Sequence, residues 1–400
     1  MKGFFSSSKY TSKNQTQRMS RCGICGLYKT CKSPRMPYTG EGRKKILVVA
    51  EAPGEMEDQK GVQLIGKAGM RLRKSLKKLD IDLDKDCWKT NAVICRPPNN
   101  ITPDSDKIEA CRPNLLRVIN ELQPNVIILL GYVSVKSLIG YLWKEDVGSI
   151  TRWVGWSIPC QKLNSWIIPT YHPSYLIRKN SSVLDILFDK HLKLAIRKRK
   201  NKPWKRIPDY RREVEIIINP LQAVKCVREM RGRKGPIAFD YETNCLKPDS
   251  KKAKIVSCSI SNGEKTIAFP MQERVIDSIS KLLESPVPKI ASNMKFEDRW
   301  TRAKLGHPVK NWYWDTMLAS HVLDNRSGIT SIKFQAFVLL GQESYDDHIK
   351  PFLSSERGSE YNRIHQVDIK DLLLYNGLDS LLEYTVAEKQ IKEFNERSMK

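Results

Sequence analysis

Apolar residues in this chain fall into short runs closed by Pro or Gly, separated by longer stretches of mixed character. In "KKILVVAEAPGE" the run from Ile46 to Ala50 is broken by Pro53 and Gly54, which predicts a first buried strand. A basic helix is expected from about Lys67 to Leu79. "PNVIILLG" places Val126 to Leu130 in an uninterrupted apolar stretch, the pattern of a parallel strand covered on both faces, with a helix starting just after Gly131. "SWIIPTYHPSYL" supplies another short strand ending near Pro169. Strands alternating with helices predict an α/β layered sandwich on a mostly parallel sheet. Sites in such sheets collect at the C-terminal ends of the strands, and Glu51 to Gly54 and His172 to Ser174 both fall there.

The pattern changes in the second half. "PIAFDYETN" and "AKIVSCSISNGEKTIAFP" predict two or three strands joined by hairpin turns, followed by helices near Phe296 to Leu305, Asp315 to Leu323 and Ile369 to Phe394. Strands first and helices afterwards predict a mixed sheet. Between the halves lies "RKRKNKPWKRIPDYRR", residues 197–212, in which nine of sixteen positions are Lys or Arg and two are Pro. It reads as a solvated linker that can lie along phosphates, or as a merely solubilising connector. The expected organisation is a disordered tail over 1–20, a first domain over 21–198, a basic linker over 199–212 and a second domain over 213–400. A length of 400 residues suits two domains.

Charge adds a partner class. The formal net charge is +25, which points to a polyanion, although a generally Lys-rich proteome gives the same number and charge alone does not separate DNA from RNA. The first twenty residues hold no apolar run longer than Phe4–Phe5, and no stretch elsewhere is long enough to cross a bilayer. An intracellular, cytoplasmic protein with no membrane partner is therefore expected, with its thiols reduced. Ten cysteines then point to metal binding or plain burial before disulfides.

Cys22 and Cys25 form a CxxC clamp in "RCGICGLYKTC", with Cys31 close behind. Cys95 in "TNAVICRPPNN" and Cys111 in "IEACRPN" stand sixteen apart, each followed by Arg-Pro. Four thiolates in this spacing can cage a metal, and spacing alone leaves zinc or an iron–sulfur cluster open. Taken together, "VVAEAPGEMEDQKGVQLIGKAG", "TNAVICRPPNN" and "IPTYHPSYLIR" resemble the family 4 uracil-DNA glycosylases over roughly residues 20 to 198. The resemblance implies a three-layer α/β/α uracil-DNA-glycosylase-like domain with a [4Fe–4S] cluster on Cys22, Cys25, Cys95 and Cys111. Cys31 is then spare, and Cys87, Cys160, Cys226, Cys245 and Cys258 are ordinary buried thiols.

Uracil excision needs a flipped base, hydrogen bonds to its edge and stabilisation of the departing anion. By the same resemblance Asn91 reads the uracil edge, His172 stabilises the anion and Ser174 helps grip a phosphate. The backbone at Ala52 and Gly54 approaches the flipped nucleotide, and Glu51 or Glu57 positions water. One departure matters. The family has an aromatic residue where this chain has Leu64, which offers apolar contact without a π face. Weak uracil binding, a different base, or a module that only binds DNA are the outcomes this substitution implies, since stacking is worth roughly 1–3 kcal/mol per base.

In "FDYET", Asp240 and Glu242 are two apart on a strand and so share a face. In "YNGLD", Tyr375 and Asp379 are i, i+4 on a helix. Carboxylates from distant segments converging on two Mg²⁺ or Mn²⁺ ions are what in-line phosphodiester hydrolysis requires, and near-surface positions are expected for them. "DYET", "NMKF", "DTMLASHVL" and "YNGLD" appear in the order of the proofreading 3′–5′ exonuclease domain of family A DNA polymerases, the tyrosine-bearing DEDD class. That resemblance, over roughly residues 213 to 397, implies a ribonuclease H-like mixed-sheet exonuclease domain. It assigns Asp240, Glu242 and Asp379 as metal ligands and Tyr375 as the residue that orients water. The middle motif carries Glu297 where the family has Asp; adjacent Asp298 would point about 100° away on a helix, so Glu297 is the expected ligand. Asp315 is expected to start a helix.

The implied substrates are single-stranded or frayed 3′ DNA ends and uracil-containing DNA. Phage-type family A polymerases carry both modules ahead of their polymerase domain, so a split polymerase with the remaining part on a separate chain is the alternative to a free-standing nuclease, in a phage-infected host cell. A cluster-bearing DNA binder without either activity is a third, weaker reading.

Overall fold

The computed structural model describes residues 22–355 and 359–398, so the tail expected over 1–20 lies outside the described residues. Two compact units meet in sequence between Ile207 and Pro208.

The first unit is built on five strands, β1 (Ile46–Ala50), β2 (Cys87–Asn91), β3 (Val126–Leu130), β4 (Ile158–Cys160) and β5 (Ser165–Thr170). Their order is β2-β1-β3-β5-β4; all neighbours are parallel except the β4–β5 pair. The continuous apolar runs Ile46–Ala50 and Val126–Leu130 are buried throughout, as expected of strands covered on both faces. Ile46, Val48, Val126 and Ile128 pack with Leu72, Leu76, Phe188 and Leu192 of the helices at Lys67–Lys77 and Ser182–Lys198. The helices Ser105–Leu122 and Tyr132–Leu142 pack on each other. Register places the ends of neighbouring strands level: Ala50 pairs with Asn91, and Leu130 with Thr170. Strand β2, with Trp88 and Lys89 at its centre, and the short β4 lack an apolar run and were not expected from the pattern.

The basic run is less free than a solvated linker. The helix ends at Lys198, the Asn125 amide donates to the Arg199 carbonyl at 2.9 Å, and the Trp166 indole N–H donates to the Asn201 carbonyl at 3.1 Å. Lys198 Nζ sits 3.8 Å from the Trp166 ring centroid.

The second unit has six strands, β6 (Val214–Ile216), β7 (Ile237–Thr243), β8 (Ile255–Ser261), β9 (Thr266–Pro270), β10 (Lys289–Ala291) and β11 (Trp312–Asp315), in the order β11-β10-β7-β8-β9-β6. β7, β8 and β9 form an antiparallel meander, and β10 and β11 add in parallel on the other side of β7. This is the ribonuclease H-like mixed sheet, with β6 as an extra parallel strand beside β9. The short strands β6, β10 and β11 had no signal of their own in the sequence. The long helix Ile369–Ser398 crosses β7, β8 and β9. It can approach so closely because Gly377 faces the sheet: a Cβ there would fall 2.3 Å from Val214 Cγ1. Among the described residues, no helix is long and apolar enough to cross a membrane.

Candidate active sites

In the first unit the level strand ends open a cavity of about 380 Å³ lined by Glu51, Ala52, Gly54, Glu57, Leu64, Asn91, His172 and Ser174. All the pocket residues expected from the sequence are thus brought together. Gly131 makes this possible: it holds φ 88°, and a Cβ would lie 2.4 Å from Glu51 Oε1 and 2.9 Å from His172 Cβ. Asn91 is 2 % exposed, and its Nδ2 finds no hydrogen-bond partner among the described residues. A buried amide donor without a partner, on a residue that lines a cavity, is an exception that calls for an explanation.

His172 caps the helix Pro173–Lys179. The Ser174 backbone N–H donates to His172 Nδ1 at 3.3 Å, and the Ser174 hydroxyl lies 2.7 Å from the same nitrogen. Nδ1 is therefore the acceptor, leaving the proton on Nε2. Burial first, and Arg178 second, push the ring down to about 4, so it is neutral at ordinary pH. Arg178, whose Nη1 donates to Ser174 Oγ at 3.2 Å, also lines the cavity and was not anticipated from the sequence.

The two glutamates are both engaged. Glu51 Oε1 accepts from the Val133 N–H at 3.3 Å, and burial raises its carboxyl above the usual range despite that bond. Glu57 Oε1 accepts from the Ile65 and Gly66 N–H groups at 3.0 and 2.8 Å, which fastens the loop that presents Leu64. Leu64 holds φ 55° and is 5 % exposed.

Sulfur atoms gather beside this pocket. The Arg35 N–H donates to Cys95 Sγ at 3.2 Å and the Ile94 N–H to Cys111 Sγ at 3.3 Å. Asn114 Nδ2 stands 3.8 Å from Cys111 Sγ and 4.0 Å from Cys22 Sγ. Burial, then neighbouring thiols, raise Cys95 to about 12, and Cys111 is raised to about 11 by burial with Cys22 and Cys25 contributing. Several N–H donors aimed at clustered sulfurs suit thiolates that share a positive group, so the donor set fits an iron–sulfur cluster. Cys31 also stands against Cys95. Cys87, Cys160, Cys226, Cys245 and Cys258 are buried.

In the second unit, carboxylate oxygens of Asp240, Glu242 and Asp379 all lie within 4.8 Å of one another, a spacing that fits a divalent cation. "YNGLD" assembles this group residue by residue. Asn376 accepts from Ser257 Oγ at 2.9 Å, its carbonyl accepts from Ser259 Oγ at 2.7 Å, and its Nδ2 donates to Asp240 Oδ2 at 2.7 Å. Those bonds, with Gly377, seat Asp379 against the face of β7 that bears Asp240 and Glu242.

The carboxylates were expected near the surface; instead Glu242, Glu297 and Asp379 are buried. Tyr375, Tyr345 and Lys333 close over them. The Tyr345 hydroxyl donates to Asp379, its ring centroid is 5.9 Å from that of Tyr375, and Lys333 Nζ lies 5.3 Å from the Tyr375 centroid. Burial, with like-charge repulsion, raises Asp240 and Glu242 well above the carboxylate range. Asp379 is raised by burial, against the pull of Lys333 and the two tyrosine hydroxyls. Burial alone would lower Lys333, but Asp379, Asp346 and Glu242 outweigh it and hold the ammonium charged. Lys333 donates to Asp346 at 2.6 Å.

Glu297 lies on the helix Met294–Leu305, 2 % exposed, with Oε2 unpartnered among the described residues. Burial first, and Asp240 second, raise it. Asp298 faces elsewhere: it accepts from the Val309 N–H at 2.9 Å and from Arg302 Nε at 2.6 Å. Asp315 caps the helix Thr316–Leu323 through the Met317 and Leu318 N–H groups, and also accepts from Asn293 and Met294 at the start of the Glu297 helix.

The profile of the uracil DNA glycosylase superfamily matches residues 36–199. A type-4 uracil-DNA glycosylase of Pyrobaculum aerophilum is 35% identical over 169 residues, 40% of this chain and 82% of that relative. The chain belongs to the type-4 uracil-DNA glycosylase family. A second type-4 uracil-DNA glycosylase, of Saccharolobus solfataricus, is 36% identical over 161 residues, 38% of this chain and 71% of the relative. Beyond the glycosylase unit, the 3′–5′ exonuclease profile matches residues 206–388. A DNA polymerase of Bacillus phage SP01 is 25% identical over 399 residues, covering 91% of this chain; the chain spans 42% of that polymerase. The protein thus joins a type-4 glycosylase unit to a 3′–5′ exonuclease domain.

Sequence reasoning did not find Arg178 in the glycosylase unit, nor Lys333, Tyr345, Asn376 and Glu383 around the exonuclease carboxylates. Asn376 sits inside a motif already singled out. Arg178 follows its motif by one helical turn. Lys333 and Tyr345 have no local signal, because each reaches the site from a separate segment.

Proposed function

We propose that the protein hydrolyses DNA from 3′ ends in a metal-dependent reaction and removes uracil from DNA with its glycosylase unit. The observation that carries the first reading is the triad of half-buried Asp240 with buried Glu242 and Asp379 in a 3′–5′ exonuclease domain. These three carboxylates would hold one Mg²⁺ or Mn²⁺, and Asp240 with Glu297 a second. When bound, such ions neutralise the scissile phosphate and supply an activated water. Tyr375 orients that water, Lys333 balances carboxylate charge beside it, and Tyr345 must release or share Asp379 as DNA enters. The substrate class is single-stranded or frayed 3′ ends, which are flexible enough to thread past the covering tyrosines.

In the glycosylase unit Asn91 donates to O4 of a flipped uracil and accepts from N3–H. His172, neutral and carrying its proton on Nε2, donates to O2 as negative charge develops there. Ser174 and Arg178 hold that tautomer and offer positive charge to a flanking phosphate. Cys22, Cys25, Cys95 and Cys111 are the ligands we assign to a [4Fe–4S] cluster. Held there, it would tie the segment around Cys22 and Cys25 to those around Cys95 and Cys111. The phage polymerase relative supports a setting in which the protein works beside a DNA polymerase, trimming or clearing the ends on which it acts.

The test is incubation of purified protein with 3′- and 5′-labelled single-stranded DNA, with and without uracil, in Mg²⁺, Mn²⁺ or EDTA. Metal-dependent shortening from the 3′ end and alkali-labile sites at uracil are expected. Intact DNA in both metals would refute the nuclease reading. Absence of alkali-labile sites alone would leave the glycosylase unit as a DNA binder.

A further inference from the structure

The helix Ile369–Ser398 carries one more carboxylate toward the exonuclease centre. Glu383 lies four residues beyond Asp379, hence one turn further along the same helix face. It is 2 % exposed. Burial raises its carboxyl well above the usual range, against the pull of the Ser292 backbone N–H. Its Oε2 has no hydrogen-bond partner among the described residues. The same is true of Glu297 Oε2, on the helix Met294–Leu305. After burial, the groups that raise the Glu383 carboxyl are Asp240, Glu297 and Asp379, all acidic. Two carboxylates buried to this degree, each with one oxygen that finds no partner among the described residues and each raised by the charge of Asp240, carry a desolvation cost those oxygens do not recover. A core residue selected for packing alone would be apolar here, as its helix neighbours Leu382 and Val386 are.

We propose that Glu383 is a metal-ligating carboxylate of the exonuclease site, which with Glu297 and Asp240 serves a second divalent cation beside the one held by Asp240, Glu242 and Asp379. This rests on the exonuclease reading above. Glu297 and Glu383 stand outside the tight group of three, so the cation they serve is a distinct one that shares Asp240. Glutamate in place of aspartate at position 297 fits the same picture. The longer side chain carries its carboxylate one methylene further from the helix, and two glutamates from two helices would then serve the ion.

The experiment is a Mn²⁺ titration of the full chain after EDTA treatment, read by calorimetry and by the electron paramagnetic resonance signal of free Mn²⁺. Wild type is expected to take up two ions at this site. Glu383→Gln, which keeps the shape and removes the charge, should keep one ion at wild-type affinity and bind the other at least tenfold more weakly. Glu383→Asp, which keeps the charge but retracts it by one methylene, should weaken the same ion and leave the first unchanged. In EDTA, Glu383→Gln should melt no lower than wild type, because like-charge repulsion is relieved. Two ions bound by Glu383→Gln with unchanged affinities would overturn the proposal and leave Glu383 as a protonated packing residue. A single wild-type ion that Glu242→Gln abolishes and Glu383→Gln leaves alone would also overturn it while the exonuclease reading stands. No Mn²⁺ uptake by wild type would remove both.

Discussion

Asn91→Leu is expected to make the glycosylase unit more stable and less active at once. In wild type the Asn91 Nδ2 is buried and finds no partner among the described residues, a state that costs roughly 1–3 kcal/mol relative to an apolar group of the same shape. Leucine is close to isosteric with asparagine, and β2 is buried from Lys89 through Asn91, so little repacking is needed. After allowing for imperfect shape, a gain on the order of 1 kcal/mol should remain. For a unit of this size that moves the melting midpoint up by about 2–4 °C. The same change removes two hydrogen bonds to uracil, each worth about 1.5 kcal/mol, so kcat/KM for excision should fall by roughly 10²-fold. Differential scanning calorimetry of the full chain reads the first effect, with the exonuclease-domain transition as the internal control. Alkaline cleavage of a labelled single-stranded uracil oligonucleotide reads the second, or its binding if excision is too slow. A variant that melts several degrees below wild type would show that Asn91 is a structural residue whose amide is satisfied. An undiminished excision rate would show that it does not read the base.

Three further outcomes follow from the geometry. Glu297→Ala should abolish metal-dependent 3′ degradation; Asp298→Ala should keep it while losing about 1 kcal/mol of stability with its bonds to Val309 and Arg302, and the reverse pattern would mean the wrong residue has been placed at the metal. His172 is held near 4 against an ordinary 6.5, so between these values the unfolded chain binds the extra proton and the folded one does not. Wild type should therefore lose stability from pH 6.5 down toward 4 in a step that calorimetry of His172→Gln lacks, and excision should stay flat above pH 5.5. Anaerobically purified protein should be brown with about four irons per chain; Cys22→Ala should lose them and Cys31→Ala keep them, and stoichiometric zinc in colourless protein would reverse the cluster assignment.

The apolar runs at Ile46–Ala50 and Val126–Leu130 were legible because a strand buried on both faces needs nothing but continuous hydrophobicity. The chemistry-bearing motifs were legible because each is local: two acids alternate on β7, a tyrosine and an aspartate share a helix turn, and a CxxC pair clamps over four residues. Strands β2, β4, β6, β10 and β11 were not legible. They are short, and their place in the sheets is set by pairing with neighbours far away in the chain. The depth of the exonuclease carboxylates was decided only by tertiary structure, because Lys333 and Tyr345 arrive at them from separate segments. The same holds for the tautomer of His172, fixed by the turn at Ser174, and for the direction of Glu57, taken by the Ile65–Gly66 backbone. Sequence determined which groups were available and which local face each one occupies. Which of them stand together, in what charge state, and with which atoms left unpartnered is a property of long-range packing, because burial and neighbouring charge act through space and not along the chain.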